Sequence, residues 1–383
     1  MSRVVLGAAR VATPAVLHAP GWLVLEGTEV VDCGAGPMPG PGVDLGDRTL
    51  APGFVDVHVH GGDGAQVHGD STDEVADAVA TLAAFHARHG TTALVATTVT
   101  DTPEQLRTAV AGVARSAVLG SHLEGPWLSP ARRGAHDPAL LRAPDVDELR
   151  ALIDASEGTL RMVTVAPELP GADALVRAAV DAGVVVSVGH TDADLATVRR
   201  AFDLGARHVT HLFNGMPGLH HRDPGPVAAA LEDPRVSVEV IADGRHVHPA
   251  VLGLVGRLLP DRLVAVTDAT AATGLPPGTH RLGSRDVTVE DGRVTLADTP
   301  GTLAGSVLTL DRAVALLVRE AGLPLPGALA AASLHPARTL GETTKGELRP
   351  GADADLVVLS PDLDVEVTVI GGRVVHDPGG LLS

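Results

Sequence analysis

Between Phe54 and Asp268 the sequence alternates short apolar runs with amphipathic stretches, and it does so eight times. The strand-like runs are Phe54–His60, Thr92–Thr98, Ala117–Glu124, Arg161–Ala166, Val184–His190, His208–Phe213, Val236–Ile241 and Leu263–Asp268. Helical patterns lie between them, such as Thr72–His89, Pro103–Arg115, Asp145–Ser156, Ala172–Ala182 and Asp192–Leu204. Thr102 before Pro103 and Thr191 before Asp192 read as helix caps. Strands alternating with helices imply a parallel sheet covered on its faces. Eight such units over about 250 residues predict a (β/α)8, TIM-like barrel. An open doubly wound sheet is the alternative, but it usually carries a Gly-rich nucleotide loop after an early strand. No convincing loop of that kind is present.

Both chain ends read differently. Arg3–Leu6, Ala15–His18, Gly21–Glu26 and Glu29–Cys33 precede the barrel, and Asp355–Leu359, Val365–Ile370 and Arg373–His376 follow it. Gly371-Gly372 between the last two runs is a hairpin signal. Neither set can bury a sheet face alone. The expectation is one small β-sandwich built from residues 1–50 and 350–383, with a catalytic barrel at 51–349 inserted between them. After the eighth run, Arg285–Val289 and Arg293–Leu296 read as a β-hairpin, and Ser306–Ala321 and Gly327–Leu340 as a helical pair.

Composition narrows the chemistry. One Cys excludes a disulfide framework and a thiolate zinc cluster, whereas 18 His are available as ligands. A net charge of −18 and the absence of Tyr argue against nucleic acid or an anionic membrane as partner. No run has the roughly 18 apolar residues of a membrane span. Val4–Ala9, broken at Arg10, is too short for a signal peptide. A cytoplasmic protein is expected.

His58 and His60 are two apart on the first strand, so both face one side. Other ligand types fall at the ends of further strands: Glu124 on the third, His190 on the fifth, His211 on the sixth and Asp268 on the eighth. Catalytic groups of such barrels come from the C-terminal ends of several strands. Taken singly, each of these residues fits a cap or a solvated rim; together they indicate a divalent metal site. His58 and His60 suit one ion, His190 and His211 a second, and Glu124 a bridge, with Asp268 as ligand, base or both. The only lysine, Lys345, is far from the fourth strand, which ends at Ala166-Pro167. The sequence therefore argues against a lysine-bridged metal pair and leaves Glu124 as the bridge.

The stretches Pro52–Gly62, HLEGPWL at 122–128, RGAHDP at 133–138, VSVGHTD at 186–192, THLFNGMP at 210–217, IADGRH at 241–246, TDAT at 267–270 and TLAGS at 302–306 resemble the N-acetylglucosamine-6-phosphate deacetylase family of the amidohydrolase superfamily. The resemblance covers nearly the whole chain. It implies hydrolysis of an acetamide on a phosphorylated N-acetyl amino sugar, with Glu124, His190 and His211 as metal ligands and Asp268 as catalytic carboxylate. It further implies that His136 polarises the carbonyl. Asn214 and Gly215 would touch the sugar phosphate, and His246 the sugar and phosphate. Arg222 would reach the phosphate in the neighbouring subunit of a homodimer; taken alone, Arg222 fits better as a surface pair with Asp223 or another acid.

Some members of that family lack the HxH pair and hold one metal, so one or two ions per chain are expected, with zinc or iron suited to N and O ligands. Phe213 replaces a frequent Tyr and reads as packing. His86 and His89 read as helix C-terminal caps, His208 as facing away from His211, His220 as an interface residue, His248 as surface or outer support, and Cys33 as an inert packing thiol. Three rivals stand beside this reading: the galactosamine isomer as substrate, a D-amino-acid acylase or cyclic-amide hydrolase, and a catalytically silent barrel.

Overall fold

A computed structural model describes residues 3–13, 16–299 and 301–382. Met1, Ser2, Pro14, Ala15, Pro300 and Ser383 lie outside the described residues, and with them the start of the expected Ala15–His18 strand.

Eight parallel strands follow one another in chain order: β1 Phe54–Val59, β2 Thr91–Thr98, β3 Gly120–Glu124, β4 Leu160–Val165, β5 Val185–Val188, β6 His208–Val209, β7 Ser237–Ile241 and β8 Leu263–Val266. The ring closes just beyond β8. Val59 and Ala269 form a parallel bridge, and the Asp268 N–H donates to His58 O at 2.9 Å. The Thr267 hydroxyl donates to the buried Asp56 carboxylate at 2.6 Å, fastening the same seam with side chains. The (β/α)8 barrel expected from the alternation is therefore present.

The helices bury apolar stripes on the outside of the barrel. In Pro103–Ala114 the buried positions Leu106, Ala109, Val110 and Val113 recur at helical spacing. Thr102 caps this helix by accepting from Gln105 N, with Pro103 in the first turn, as the sequence indicated. The helix expected from Asp192 begins later, at Leu195. Its cap is Asp194, which accepts from Thr197 N at 2.8 Å, while the Thr191 hydroxyl is taken by Glu168.

The two chain ends form two facing sheets. One carries Glu29–Ala35, Gly21–Glu26, Val4–Ala8 and Val43–Asp44 in that order. The other runs Arg373–His376, Val365–Ile370, Leu356–Leu359, Thr49–Pro52, Arg10–Ala12, Leu17–His18, so strands from both ends share it. Leu6, Leu23, Val30, Leu50, Leu356, Val358 and Val367 fill the space between them. The strand Thr49–Pro52 runs through Gly53 into β1, which ties this sandwich to the barrel. Lys345 sits beside it, bridging Asp353 and Asp355 at 2.9 and 2.8 Å.

Beyond β8 the expected hairpin has a third strand. Gly278–Leu282 pairs with Arg285–Glu290, which pairs with Arg293–Leu296. This small sheet packs on Ala272 and Ala304 at the mouth of the barrel. The later helical pair is Leu310–Arg319 followed by a helix broken at Ser333 into Leu325–Ala332 and Leu334–Thr339.

Candidate active site

The site lies at the C-terminal ends of the barrel strands. Strand alternation carries Asp56, His58 and His60 to one face of β1. His60 follows the last residue of that strand and keeps its period. Alternation does not explain His190, His211 or Asp268. β5 ends at Val188 and β6 at Val209, earlier than the sequence suggested. The backbone then turns into the left-handed region, with φ of 45° at His190, 26° at His211 and 49° at Asp268. Such angles are uncommon outside glycine and each costs about 1–3 kcal/mol. The strain swings three ligand-type side chains into one centre.

The resulting geometry is a convergence of imidazole Nε2 atoms on carboxylates. Glu124 Oε1 lies 3.1 Å from His190 Nε2 and 3.1 Å from His211 Nε2. Its Oε2 lies 3.2 Å from His60 Nε2. Asp268 Oδ1 lies 3.1 Å from His60 Nε2 and 3.6 Å from His58 Nε2. Two triads result, His58–His60–Asp268 and Glu124–His190–His211, each with ligand atoms within 4.8 Å of one another. The Glu124 carboxylate stands between them.

Hydrogen bonds on the far side of each ring orient it. The Nδ1 atoms of His60, His190 and His211 meet the main-chain oxygens of Thr97, Arg132 and Asn214 at 3.1, 2.8 and 3.2 Å. His58 Nδ1 meets Glu239 Oε2 at 3.0 Å. A carbonyl or carboxylate accepts only, so each Nδ1 donates and each Nε2 is left to face inward. Yet Nε2 atoms of His58 and His60 stand 3.2 Å apart, and those of His190 and His211 3.1 Å apart. Ring nitrogens so close, gathered round two buried carboxylates, suit a cation held between them. The donor set therefore fits divalent metal, with His and carboxylate ligands supported from behind.

The electrostatics point the same way. Burial pulls the His58 pKa down, but Glu124 and Glu239 outweigh it and hold it well above the usual value. Burial likewise opposes the rise at His60, which Asp268 and Glu124 carry to about 9. Against the burial that raises it, Glu124 is held well below the carboxylate range by His58 and His190. Buried carboxylates here demand positive charge, which a bound cation supplies in place of protons.

His136 is different. Its Nδ1 accepts from the Thr100 N–H at 3.3 Å, so the neutral ring carries its proton on Nε2. Burial lowers its pKa to about 4. Nε2 is 3.3 Å from Glu124 Oε2 and aims at the centre as a neutral donor.

A cavity of about 330 Å³ opens above these groups. His60, Glu124, His136, His190, His211 and Asp268 line its floor; Asn214, Gly215 and His246 line its wall. Asp243 holds the His246 ring, with Oδ2 2.7 Å from Nδ1. Gly215 has φ of 61°, and a Cβ there would stand 2.9 Å from His190 Nδ1, so a side chain is barred at this point. Gly305 has φ of 64° and closes over Asp268, where a Cβ would meet its backbone oxygen at 2.9 Å.

Arg222 is exposed and does not line the cavity of its own chain. Among the described residues its guanidinium forms no ion pair, so the surface pair with Asp223 is not made.

Several expectations need correction. His208 does not face away from His211. β6 breaks after Val209, and both rings lie in the barrel core, where His208 Nε2 donates to Glu239 Oε1 at 2.8 Å and His211 N to Glu239 Oε2 at 3.1 Å. His86 is fully buried and turns from its helix end to donate to Gly61 O at 3.0 Å. His89 pairs with Asp311 at 3.2 Å. His248 is at the surface, as expected, and caps the helix Pro249–Leu258, accepting from Ala250 N. Burial raises the Cys33 thiol pKa, in keeping with an inert group.

Sequence reasoning missed Glu239, Asp56 and the third strand of the mouth sheet, Gly278–Leu282. Leu282, Ser284 and Arg285 of that sheet line the cavity. A charged residue inside an apolar strand, as at Asp56 and Glu239, was the available signal.

The sequence matches the Amidohydrolase family over residues 49–375. The chain belongs to the amidohydrolase family. Among amidohydrolase relatives, the N-acetylglucosamine-6-phosphate deacetylase of Homo sapiens is 42% identical over 348 residues, covering 87% of this chain and 84% of the relative. The N-acetylgalactosamine-6-phosphate deacetylase of Escherichia coli O157:H7 is 39% identical over 371 residues, covering 94% and 97%. The solved N-acetyl-D-glucosamine-6-phosphate deacetylase of Mycobacterium smegmatis, a mutant in complex with N-acetyl-D-glucosamine-6-phosphate, is similar with 44% identity. Its TM-score is 0.94, over 98% of this chain and all of that one.

Proposed function

We propose that this chain hydrolyses the acetamide of N-acetyl-D-glucosamine 6-phosphate, releasing D-glucosamine 6-phosphate and acetate, in amino-sugar catabolism and cell-wall sugar recycling. The observation that carries the reading is the inward convergence of four Nε2 atoms on Glu124 beneath Asp268 and His136. The relatives named above, which act on phosphorylated N-acetyl amino sugars by name, supply the substrate class.

His58, His60, Glu124, His190, His211 and Asp268 would hold one or two divalent ions, zinc or iron. When bound, a divalent ion polarises a carbonyl and lowers the pKa of water toward about 7. The remaining chemistry belongs to the chain. Asp268, kept ionised by His60 and His58 against the burial that opposes it, takes a proton from the attacking water. His136 donates its Nε2–H to the acetamide oxygen as charge develops there. When the C–N bond breaks, Asp268 returns the proton to the departing amine. Asn214 and the Gly215 main chain orient the sugar phosphate, and His246 the sugar and phosphate.

Arg222 would complete the phosphate site of the neighbouring subunit in a homodimer; its exposure, with no ion pair to a described residue, supports that use. In this proposal residues 51–349 form the catalytic barrel, and 1–50 with 350–383 the supporting domain. The working place is the cytoplasm, where phosphorylated sugars are formed and retained; no helix among the described residues is long and apolar enough to cross a membrane.

The Escherichia coli relative gives the galactosamine isomer standing as a second substrate. The test is acetate release from both 6-phosphate epimers and from unphosphorylated N-acetylglucosamine, with metal content measured on the same sample. Fast turnover of the glucosamine epimer supports the reading. Preference for the galactosamine epimer transfers it to that sugar, and activity on neither overturns it.

A further inference from the structure

Three of the four converging imidazoles lean on main-chain carbonyls. His58 alone leans on a carboxylate. That carboxylate, Glu239, is fully buried on β7, which only β8 separates from β1 around the ring. We propose that Glu239 is the positioning residue of the His58–His60 ion, and that its charge decides whether the centre holds two ions or one. The inference rests on the metal-centre reading above.

The argument begins with cost. A buried carboxylate is retained at a desolvation penalty that a neutral side chain of the same shape avoids. Among the described residues, Glu239 neither lines the cavity nor pairs with a Lys or Arg. Its oxygens are filled by three donors: His58 Nδ1 at 3.0 Å, His208 Nε2 at 2.8 Å and His211 N at 3.1 Å. Of these only His58 is a metal-ligand side chain presenting its second nitrogen to the site. A carboxylate behind a ligating imidazole fixes the tautomer and makes the inward nitrogen a stronger donor. His211, whose ring is held by Asn214 O, receives no such support from Glu239, which touches only its backbone.

Glu239 is itself fixed by a chain of side chains through the core. His208 Nδ1 lies 2.6 Å from Ser237 Oγ, and Thr339 Oγ1 donates to Ser237 Oγ at 2.9 Å. With His208 giving its Nε2–H to Glu239, its Nδ1 accepts from Ser237, and every link has a donor and an acceptor. The carboxylate therefore has one orientation, and His58 has one too.

The test is a cobalt(II) titration of the metal-free full-length chain, followed by heat and by the visible absorption of bound cobalt, with final ions per chain counted by elemental analysis. The wild type should take two ions. Glu239→Gln should loosen one ion by about 10–100-fold and leave the other unchanged. His60→Ala should remove that same step. Equal weakening of both steps, or of neither, in Glu239→Gln overturns the inference while leaving the metal-centre reading intact. Should Glu239→Gln not fold, Glu239→Asp carries the test, because it keeps the charge and withdraws it by one methylene. Selective loosening of one ion supports the role, and an unchanged titration overturns it. Fewer than two ions in the wild type overturns the two-ion reading and this inference with it.

Discussion

Asp268 Oδ1 stands 3.1 Å from His60 Nε2, across the seam where the last barrel strand meets the first. The carboxylate thus shares an edge with the ligand cluster and still borders the cavity. Asp268→Asn keeps its shape and removes its capacity to carry a proton. The expected outcome is a kcat lowered by roughly 10²–10⁴-fold with substrate binding nearly unchanged. Single-turnover kinetics, calorimetric binding and a metal count on the same preparation check this. Turnover near the wild-type rate would remove Asp268 from the proton-transfer role.

His136 donates without titrating in the working range, because burial keeps its pKa near 4. His136→Ala removes one donor to the developing oxyanion, worth roughly 10²–10³-fold in kcat. Metal content should stay at the wild-type value, since His136 belongs to neither ligand triad. Loss of metal together with activity would reassign it as a ligand.

Arg222 is exposed and lies outside the cavity of its own chain, and the proposed homodimer gives it the phosphate of the neighbouring subunit. A charge-assisted contact to phosphate is worth about 1.5–3 kcal/mol, or roughly 10–100-fold in affinity. Arg222→Ala should raise KM for N-acetylglucosamine 6-phosphate by that factor and leave the unphosphorylated sugar almost untouched. Equal effects on both sugars would take Arg222 out of the phosphate site. Sedimentation velocity on both proteins would distinguish a lost contact from a lost dimer.

The parts of the centre that follow a simple period were legible in the sequence. His58 and His60 obey strand alternation, and the eight strands obey the βα rhythm. His190, His211 and Asp268 were reached only through their place at strand ends. What aims them is a left-handed backbone, which no residue pattern announces for His or Asp. The same kink misled the reading of His208, because counting by two from His211 assumes an unbroken strand. Glu239 was overlooked because it contributes no atom to the cavity; its meaning is a distance to His58, which the chain reaches only by closing the ring six strands later. The third strand of the mouth sheet, Gly278–Leu282, is exposed along much of its length and so lacks an apolar alternation.

His86 supplies a stability prediction independent of catalysis. Its ring is fully buried, donates from Nε2 to Gly61 O, and leaves Nδ1 without a partner among the described residues. Burial lowers its pKa to about 4, helped by the nearby His89 and opposed by the bond to Gly61. In the unfolded chain it titrates near 6.5. Between those values the unfolded chain binds a proton that the native chain refuses. The contribution is therefore complete above about pH 6.5 and is lost as pH falls toward 4. Roughly 2 kcal/mol should disappear between neutral pH and pH 5 on this account. His86→Gln retains an N–H for Gly61 O and cannot titrate. Its stability should be lower at neutral pH, through imperfect packing, but should fall less steeply on acidification. Urea unfolding of both proteins at pH 7.5 and pH 5 measures the two slopes. Parallel slopes would mean that His86 is not the group whose protonation opens this part of the barrel.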